Sequence, residues 1–166
     1  MDIFSESFIL QTRTILLAED DQDDIFLFTE SIKDFQIHFN LHIVQNGLDV
    51  ISYLDELKSD DLVFLDINMP GMNGFECLAE IRDKSKSVAV IMLSTADDAD
   101  YIARAEKLGA TGYVVKPPSL ELYGHAIKDI LLTNYGISIT TDKSYKLMQK
   151  CQEIKEDLSA AEDYVP

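Results

Sequence analysis

The chain has 166 residues, of which 46% are hydrophobic, so it is long enough for one domain with its own core and too apolar for a disordered chain. Its 14 basic and 30 acidic residues give a formal net charge of −16, which repels phosphate backbones and anionic lipid headgroups. We therefore expect neither a nucleic acid nor a membrane surface as a partner.

The compartment is indicated by what the chain lacks. The N-terminus has no basic start followed by an apolar run, and no stretch reaches the ~20 apolar residues of a membrane span. Cys77 and Cys151 are far apart and form neither a disulfide framework nor a zinc motif. The sequence therefore predicts a soluble cytoplasmic protein.

Five short apolar runs predict β-strands, and most of them are apolar without alternation. Such runs are typical of strands that are buried on both faces of a parallel sheet. In chain order they are Thr14–Ala18, Leu41–Gln45, Leu62–Asp66, Ala89–Leu93 and Gly112–Val115.

Helical spacing of apolar residues marks five segments between and after these strands. The predicted buried stripes are Ile25, Phe28, Ile32 and Phe35; Val50, Leu54 and Leu57; Phe75, Leu78 and Ile81; Ile102, Ala105 and Leu108, ended by Gly109; and Leu120, Tyr123, Ile127 and Ile130. This alternation predicts an α/β fold, a five-stranded parallel sheet with helices on both faces. In the flavodoxin-like form the strand order is 2-1-3-4-5, so the first and third strands are neighbours.

The domain predicted from this pattern spans residues 14–133, with an N-terminal extension at 1–13 and a C-terminal loop and helical extension at 134–166. Within the latter, Asp142–Ala161 carries a narrow apolar stripe that resembles a coiled-coil seam. This extra helix either docks on its own domain, which we favour, or contacts a second copy of the chain.

Acidic residues stand where two neighbouring strands end. Glu19, Asp20 and Asp21 follow the first strand, and Asp66 ends the third. Clustered carboxylates raise one another's pKa unless a cation joins them, and an all-oxygen cluster suits Mg²⁺. The local alternative is that Asp66 is a turn residue and that the acidic residues before the next helix favour the positive end of its dipole, namely Asp20, Asp21, Asp23 and Asp24.

Two further strand ends supply the other parts of a phosphoryl-transfer site. Thr95 offers a hydroxyl, Ala96 a backbone N–H, and Lys116 an ammonium that can neutralise phosphoryl oxygens. Taken singly, Thr95 would be a helix N-cap and Lys116 an ordinary turn lysine. Together with a nucleophilic carboxylate and a metal, they predict phosphoryl transfer.

The motifs ILLAEDD, LVFLDINMPGMNG, STA and GYVVKP resemble the receiver domains of two-component response regulators over about Thr14 to Leu132. NLHIVQNG and the final KPP are similar to small stand-alone regulators of phytochrome-type sensor kinases. The resemblance implies a single-domain signalling phospho-acceptor that assists its own phosphorylation and dephosphorylation, rather than an enzyme.

The resemblance also implies roles for individual residues. Asp66 is the phospho-acceptor, Lys116 pairs with the phosphoryl group, and Glu19 and Asp20 hold Mg²⁺ with Asp66 and the backbone carbonyl of Asn68.

A second set of implied roles concerns the switch. Thr95 moves onto the phosphoryl group beside the N–H of Ala96, Tyr113 turns inward, and Asn68 and Asp97 tune dephosphorylation. The bond between Lys116 and Pro117 is expected to be cis.

The implied donor is a phosphohistidine of a sensor histidine kinase or phosphotransfer protein. Output passes to a downstream protein partner, onward along a phosphorelay, or into a homodimer formed through the face of the fourth helix, fifth strand and fifth helix, or through the C-terminal helix. Two other classes of protein share parts of this pattern. A phosphatase of the haloacid-dehalogenase type needs a D-x-D motif, which Asp66-Ile67-Asn68 breaks, and a phosphorylation-independent binding module would not need the intact site.

Overall fold

The computed structural model describes residues 13–33, 39–84, 86–117 and 119–134. The two terminal extensions, including the helix expected at Asp142–Ala161, lie almost entirely outside these residues, as does Phe35 of the first predicted stripe.

The described residues form a parallel sheet whose order is β2-β1-β3-β4-β5, which confirms the predicted fold and strand order. The strands are β1 Arg13–Ala18, β2 Phe39–Val44, β3 Leu62–Asp66, β4 Ala89–Ser94 and β5 Gly112–Val115. The helices are α1 Gln22–Ile32, α2 Gly47–Tyr53, α3 Gly74–Asp83, α4 Ala99–Lys107 and α5 Leu120–Asn134.

Two apolar cores lie on opposite faces of the sheet, because successive side chains of a strand point to opposite sides. In β1, Ile15 and Leu17 pack with residues of α1 and α5, whereas Leu16 and Ala18 pack with residues of α2, α3 and α4. All five residues of β3 are buried. This two-sided burial explains why the strands are apolar throughout and fixes the sheet as a rigid base for the loops at its edges.

The predicted helical stripes are largely confirmed, with two differences. Leu120 is 44% exposed, so the buried stripe of α5 begins one turn later, at Tyr123. Helix α2 ends at Tyr53 and tightens into a 3₁₀ turn over Leu54–Glu56, although Leu54 remains buried. Spacing identifies the residues that share a face, but it does not show how far along a helix that face remains covered.

The end of α4 follows the sequence prediction. Gly109 has a φ of +90°, a conformation that glycine adopts without steric cost and that stops a helix. No helix among the described residues is both long and apolar enough to cross a lipid bilayer.

Tyr123 carries a buried hydroxyl without a hydrogen-bond partner among the described residues. Its ring packs edge-on at 6.3 Å from that of Phe28. Because Tyr123→Phe keeps the ring and removes the unsatisfied group, we expect the free energy of unfolding to rise by about 1 kcal/mol in urea denaturation.

The matched control is Tyr113→Phe, which deletes a hydroxyl that donates to the carbonyl of Ala96 at 2.9 Å. The free energy of unfolding of this variant should fall by about 1 kcal/mol. Equal losses in both variants would show that the Tyr123 hydroxyl is satisfied in solution.

Candidate functional site

The site lies at the carboxyl edge of the sheet, where β1, β3 and β5 end. Strand pairing continues one residue past two of these ends: the N–H of Glu19 donates to Val44 at 3.0 Å and the N–H of Lys116 to Ser94 at 2.7 Å. Asp66 is itself the last residue of β3 and pairs with Leu93 of β4. The backbone at Glu19, Asp66 and Lys116 is therefore fixed by the sheet.

Three carboxylates form a compact group at this edge. One side-chain oxygen from each of Glu19, Asp20 and Asp66 lies within 4.8 Å of the others. Glu19 is 2% and Asp66 4% exposed, whereas Asp20 faces solvent. Buried carboxylates this close repel one another, and an oxygen-only donor set open on one side fits a hard divalent ion that keeps some of its water.

Lys116 reaches into this group from the end of β5. Its Nζ lies 2.6 Å from an oxygen of each of three carboxylates, those of Glu19, Asp24 and Asp66. Burial opposes the charge on Lys116, but hydrogen bonds with Asp24, Asp66 and Glu19 outweigh it and raise the pKa of the ammonium above its ordinary value. The lysine is thus held charged beside Asp66.

The carboxylate of Asp66 is oriented from two sides. Oδ1 contacts Lys116, and Oδ2 accepts the backbone N–H of Asn68 at 2.7 Å. The turn that follows is anchored by the N–H of Gly74, which donates to the carbonyl of Ile67 at 2.9 Å. Both oxygens of Asp66 are therefore held by contacts within the chain.

Gly74 allows the start of α3 to approach the backbone beneath Asp66. A Cβ at this position would overlap the carbonyl oxygen of Asp66 and lie 2.9 Å from Cα of Ile67. Asn73 caps the helix in a capping box with Glu76, with hydrogen bonds of 3.0 and 3.1 Å. The loop from Asp66 to α3 is consequently tight at both of its ends.

The acidic residues after β1 make two kinds of contact: some cap the adjacent helix α1, and others contact residues far away in the chain. Asp21 caps α1 by accepting the N–H groups of Asp23 and Asp24 at 2.8 and 3.1 Å, so the helix-dipole interpretation is confirmed for it. Asp24 also lies in the first turn, but its side chain contacts Lys116, 92 residues away. Sequence reasoning missed Asp24 as a site residue, because its position looks like ordinary dipole compensation.

The other strand-end residues lie beside this cluster. Thr95 is exposed and directly follows β4, and the N-cap of α4 is Asp98, so the capping alternative for Thr95 is wrong. The N–H of Ala96 donates to Oγ of Ser94 at 3.0 Å. Tyr113 is buried, and its hydroxyl donates to the carbonyl of Ala96.

The remaining predicted residues are placed as follows. Asn68 and Asp97 are both exposed on loops at this edge. The described residues contain no cis peptide bond, so the expected cis bond before Pro117 is wrong; trans is the commoner state of bonds before proline.

A family model described as "Response regulator receiver domain" matches residues 15–128. The chain belongs to this family. It is a phospho-acceptor signalling domain of two-component systems rather than an enzyme, and a receiver domain implies a sensor kinase as partner.

Solved receiver structures resemble the chain over most of its length. The phosphorylated cyanobacterial phytochrome response regulator RcpA is 27% identical with a TM-score of 0.68, covering 77% of this chain and 97% of that one. The Mn²⁺-bound form of response regulator Rcp1 is 26% identical with a TM-score of 0.64, covering 80% and 99%. The group of Glu19, Asp20 and Asp66 is thus a metal-site cluster of the kind typical of receiver domains.

Curated relatives match over shorter stretches. The chemotaxis protein CheY of Listeria monocytogenes is 38% identical over 98 residues, which are 57% of this chain and 82% of that protein. The transcriptional regulatory protein MalR of Bacillus subtilis is 42% identical over 69 residues, which are 42% of this chain and only 29% of that regulator.

The close approach at Gly74 predicts a steric effect. In Gly74→Ala the new methyl group must displace the Asp66 backbone, so we expect a loss of about 1–3 kcal/mol in the free energy of unfolding and weaker Mg²⁺ binding. The control is Gly124→Ala in α5, where the nearest atom to a Cβ is 3.7 Å away. That variant should be neutral or up to about 1 kcal/mol more stable; similar behaviour of the two variants would contradict the steric account.

The buried position of Glu19 predicts a pH dependence. Burial raises its pKa to about 7; the hydrogen bond to Lys116 opposes this shift, and the charge of Asp66 reinforces it. Between the ordinary value of 4.5 and about 7, the folded chain holds a proton that the unfolded chain has lost. Stability from this group is therefore complete below pH 4.5 and is lost as pH rises through about 7.

Urea unfolding in EDTA across this pH range measures the effect. As pH rises, we expect the free energy of unfolding of the metal-free wild type to fall by up to about 3 kcal/mol relative to that of Glu19→Gln, which cannot ionise at this position. Adding Mg²⁺ should restore the stability of the wild type above pH 7 and change that of the variant much less, since a metal binds the ionised carboxylate. Parallel pH profiles would contradict the assignment.

Proposed function

We propose that the chain acts as a stand-alone response regulator in which Asp66 accepts a phosphoryl group from a phosphohistidine of a sensor kinase or phosphotransfer protein. The observation that carries this proposal is a buried Asp66 whose carboxylate touches the ammonium of Lys116 and lies against Glu19 and Asp20. A nucleophile, a fixed cation and a metal-binding group at one point are the parts that phosphoryl transfer needs.

The transfer forms one bond and breaks one. A carboxylate oxygen of Asp66 attacks phosphorus, the P–N bond to the donor imidazole breaks, and its electron pair returns to the imidazole nitrogen, which takes up a proton. Lys116 offsets charge on the phosphoryl oxygens. Glu19, Asp20, Asp66 and the carbonyl of Asn68 would hold Mg²⁺, which when bound stabilises the same developing charge.

The signal is a shift between two states, biased by hydrogen bonds that form only after phosphorylation. Thr95 moves onto the phosphoryl group, and the N–H of Ala96 becomes a second donor after leaving Ser94. The contact between Tyr113 and the carbonyl of Ala96 supports this coupling, because displacement of the loop after β4 displaces the anchor of Tyr113.

Two exposed residues complete the assignment. Asn68 and Asp97 flank the site and tune hydrolysis of the acyl phosphate, which their exposed positions on the loops after β3 and β4 support.

Output passes through a protein contact. The face of α4, β5 and α5 changes shape and binds a downstream partner or a second copy. The helix expected at Asp142–Ala161 is the other candidate for dimer formation. Large apolar side chains are exposed on α4 and α5, which supports a binding surface there. They are Tyr101 on α4, 40% exposed, and Leu120 and Leu122 on α5, 44% and 55% exposed. The net charge of −16 disfavours DNA as the target, and a cytoplasmic location belongs to the same proposal.

The decisive experiment is incubation with acetyl phosphate and Mg²⁺, followed by intact-mass measurement. We expect a phosphoryl adduct on wild type that EDTA prevents and that Asp66→Asn lacks, because an amide oxygen is a poor nucleophile. The control Asp60→Asn changes an exposed carboxylate paired with Arg13 and should keep the adduct.

An adduct that survives Asp66→Asn would disprove the acceptor assignment. A wild-type chain that binds Mg²⁺ but takes no phosphoryl group, even from a phosphorylated kinase, would favour a binding module that works without phosphorylation.

A further inference from the structure

Among the described residues, Asp24 is the one carboxylate that contacts Lys116 without belonging to the metal-binding group. Its Oδ2 lies 2.6 Å from Nζ of Lys116, the same distance as the oxygens of Glu19 and Asp66. In the part of the chain that the structure describes, the carboxylates that could surround an ion are those of Glu19, Asp20 and Asp66, without Asp24. Asp24 therefore contacts Lys116 but is not placed to bind the metal.

The number of partners that the ammonium of Lys116 can hold explains why a carboxylate outside the metal-binding group is important for the lysine. A lysine has three N–H donors. Here its Nζ donates hydrogen bonds to Glu19 and Asp24 and forms an ion pair with Asp66. A divalent ion competes with Lys116 for Glu19, and a phosphoryl group on Asp66 consumes one of that residue's oxygens. In the loaded site, Asp24 is the partner of Lys116 that neither event removes.

We propose that Asp24 is a positioning residue that keeps Lys116 directed at Asp66 while the metal and the phosphoryl group draw its other two partners away. This inference rests on the proposed phosphoryl-accepting function. Lysine has a long flexible stem, so an ammonium without such an anchor would sample positions away from the reacting group.

The position of Asp24 suits an anchor. Its backbone N–H is held by the cap residue Asp21, which fixes the first turn of α1 against the site. Its side chain is 30% exposed, compared with 3% for Glu19, so water solvates the charge that Asp24 keeps while binding Lys116.

The opposite role makes an opposite prediction. If Asp24 withheld Lys116 from the phosphoryl group, its removal would free the lysine and speed formation of the adduct. If Asp24 anchors Lys116, its removal slows the reaction. The sign of the effect therefore separates the two roles.

The test compares Asp24→Asn, which removes the charge, with Asp24→Glu, which keeps it. The matched control is Asp23→Asn, because Asp23 is exposed, lies in the same helical turn and carries the same charge. Equal thermal unfolding temperatures of the variants would show that any difference does not come from loss of folding.

The first readout does not need phosphorylation. With Mg²⁺ present, reductive methylation of Lys116 is followed by peptide mass spectrometry. We expect modification to be ~3–10-fold faster in Asp24→Asn, unchanged in Asp23→Asn, and close to wild type in Asp24→Glu. Equal rates in Asp24→Asn and wild type would overturn the proposal.

The second readout is the rate of adduct formation from acetyl phosphate. We expect it to fall ~3–10-fold in Asp24→Asn but not to fall further when Asp24→Asn is added to Lys116→Ala, since the effect passes through the lysine. A faster rate, an equal fall in Asp23→Asn, or an effect that persists without Lys116 would overturn the proposal.

The two readouts also separate this inference from the function on which it rests. A wild-type chain that forms no adduct, but whose Lys116 is protected only when Asp24 is present, would contradict the phosphoryl-accepting function and leave the anchoring contact established.

Discussion

The contact of one ammonium with three carboxylates is the interaction on which the site depends. Glu19 and Asp66 are almost fully buried, and two buried negative charges side by side are costly without a cation. Lys116 supplies that cation within the chain itself, 2.6 Å from both. The negative charge of this edge is therefore partly balanced within the chain, and the same contact orients Asp66.

The parallel sheet is what brings these groups together. Glu19 and Lys116 are 97 residues apart in the chain, yet they are in contact because all parallel strands end at the same edge. The strand order places β1 beside β3, and β4 and β5 follow in turn. Since both faces of the sheet are covered by apolar cores, this edge is where polar side chains can converge on a rigid base.

Much of this arrangement could be predicted from local patterns. Runs such as Leu62–Asp66 are apolar throughout because the strand is buried on both faces, and Gly109 marks the end of α4 because of its backbone conformation. The group of Glu19, Asp20 and Asp66 followed from knowing where neighbouring strands stop. Leu120 was predicted to be buried and is exposed, because the periodicity of a helix does not show how much of its length a neighbour covers.

Asp24 shows why the rest could not be predicted in the same way. An aspartate in the first turn of a helix has a sufficient local explanation in the helix dipole, and Asp23 beside it has the same pattern without the contact. Only the folded structure shows that Asp24, and not Asp23, is the aspartate that contacts Lys116. The contact with Lys116 distinguishes Asp24 from its neighbour Asp23, and Asp24 lies outside the group of carboxylates that could hold a metal. The planar fork of an arginine would suit paired carboxylate oxygens instead, so a lysine at this position favours three separate acids arranged around one point.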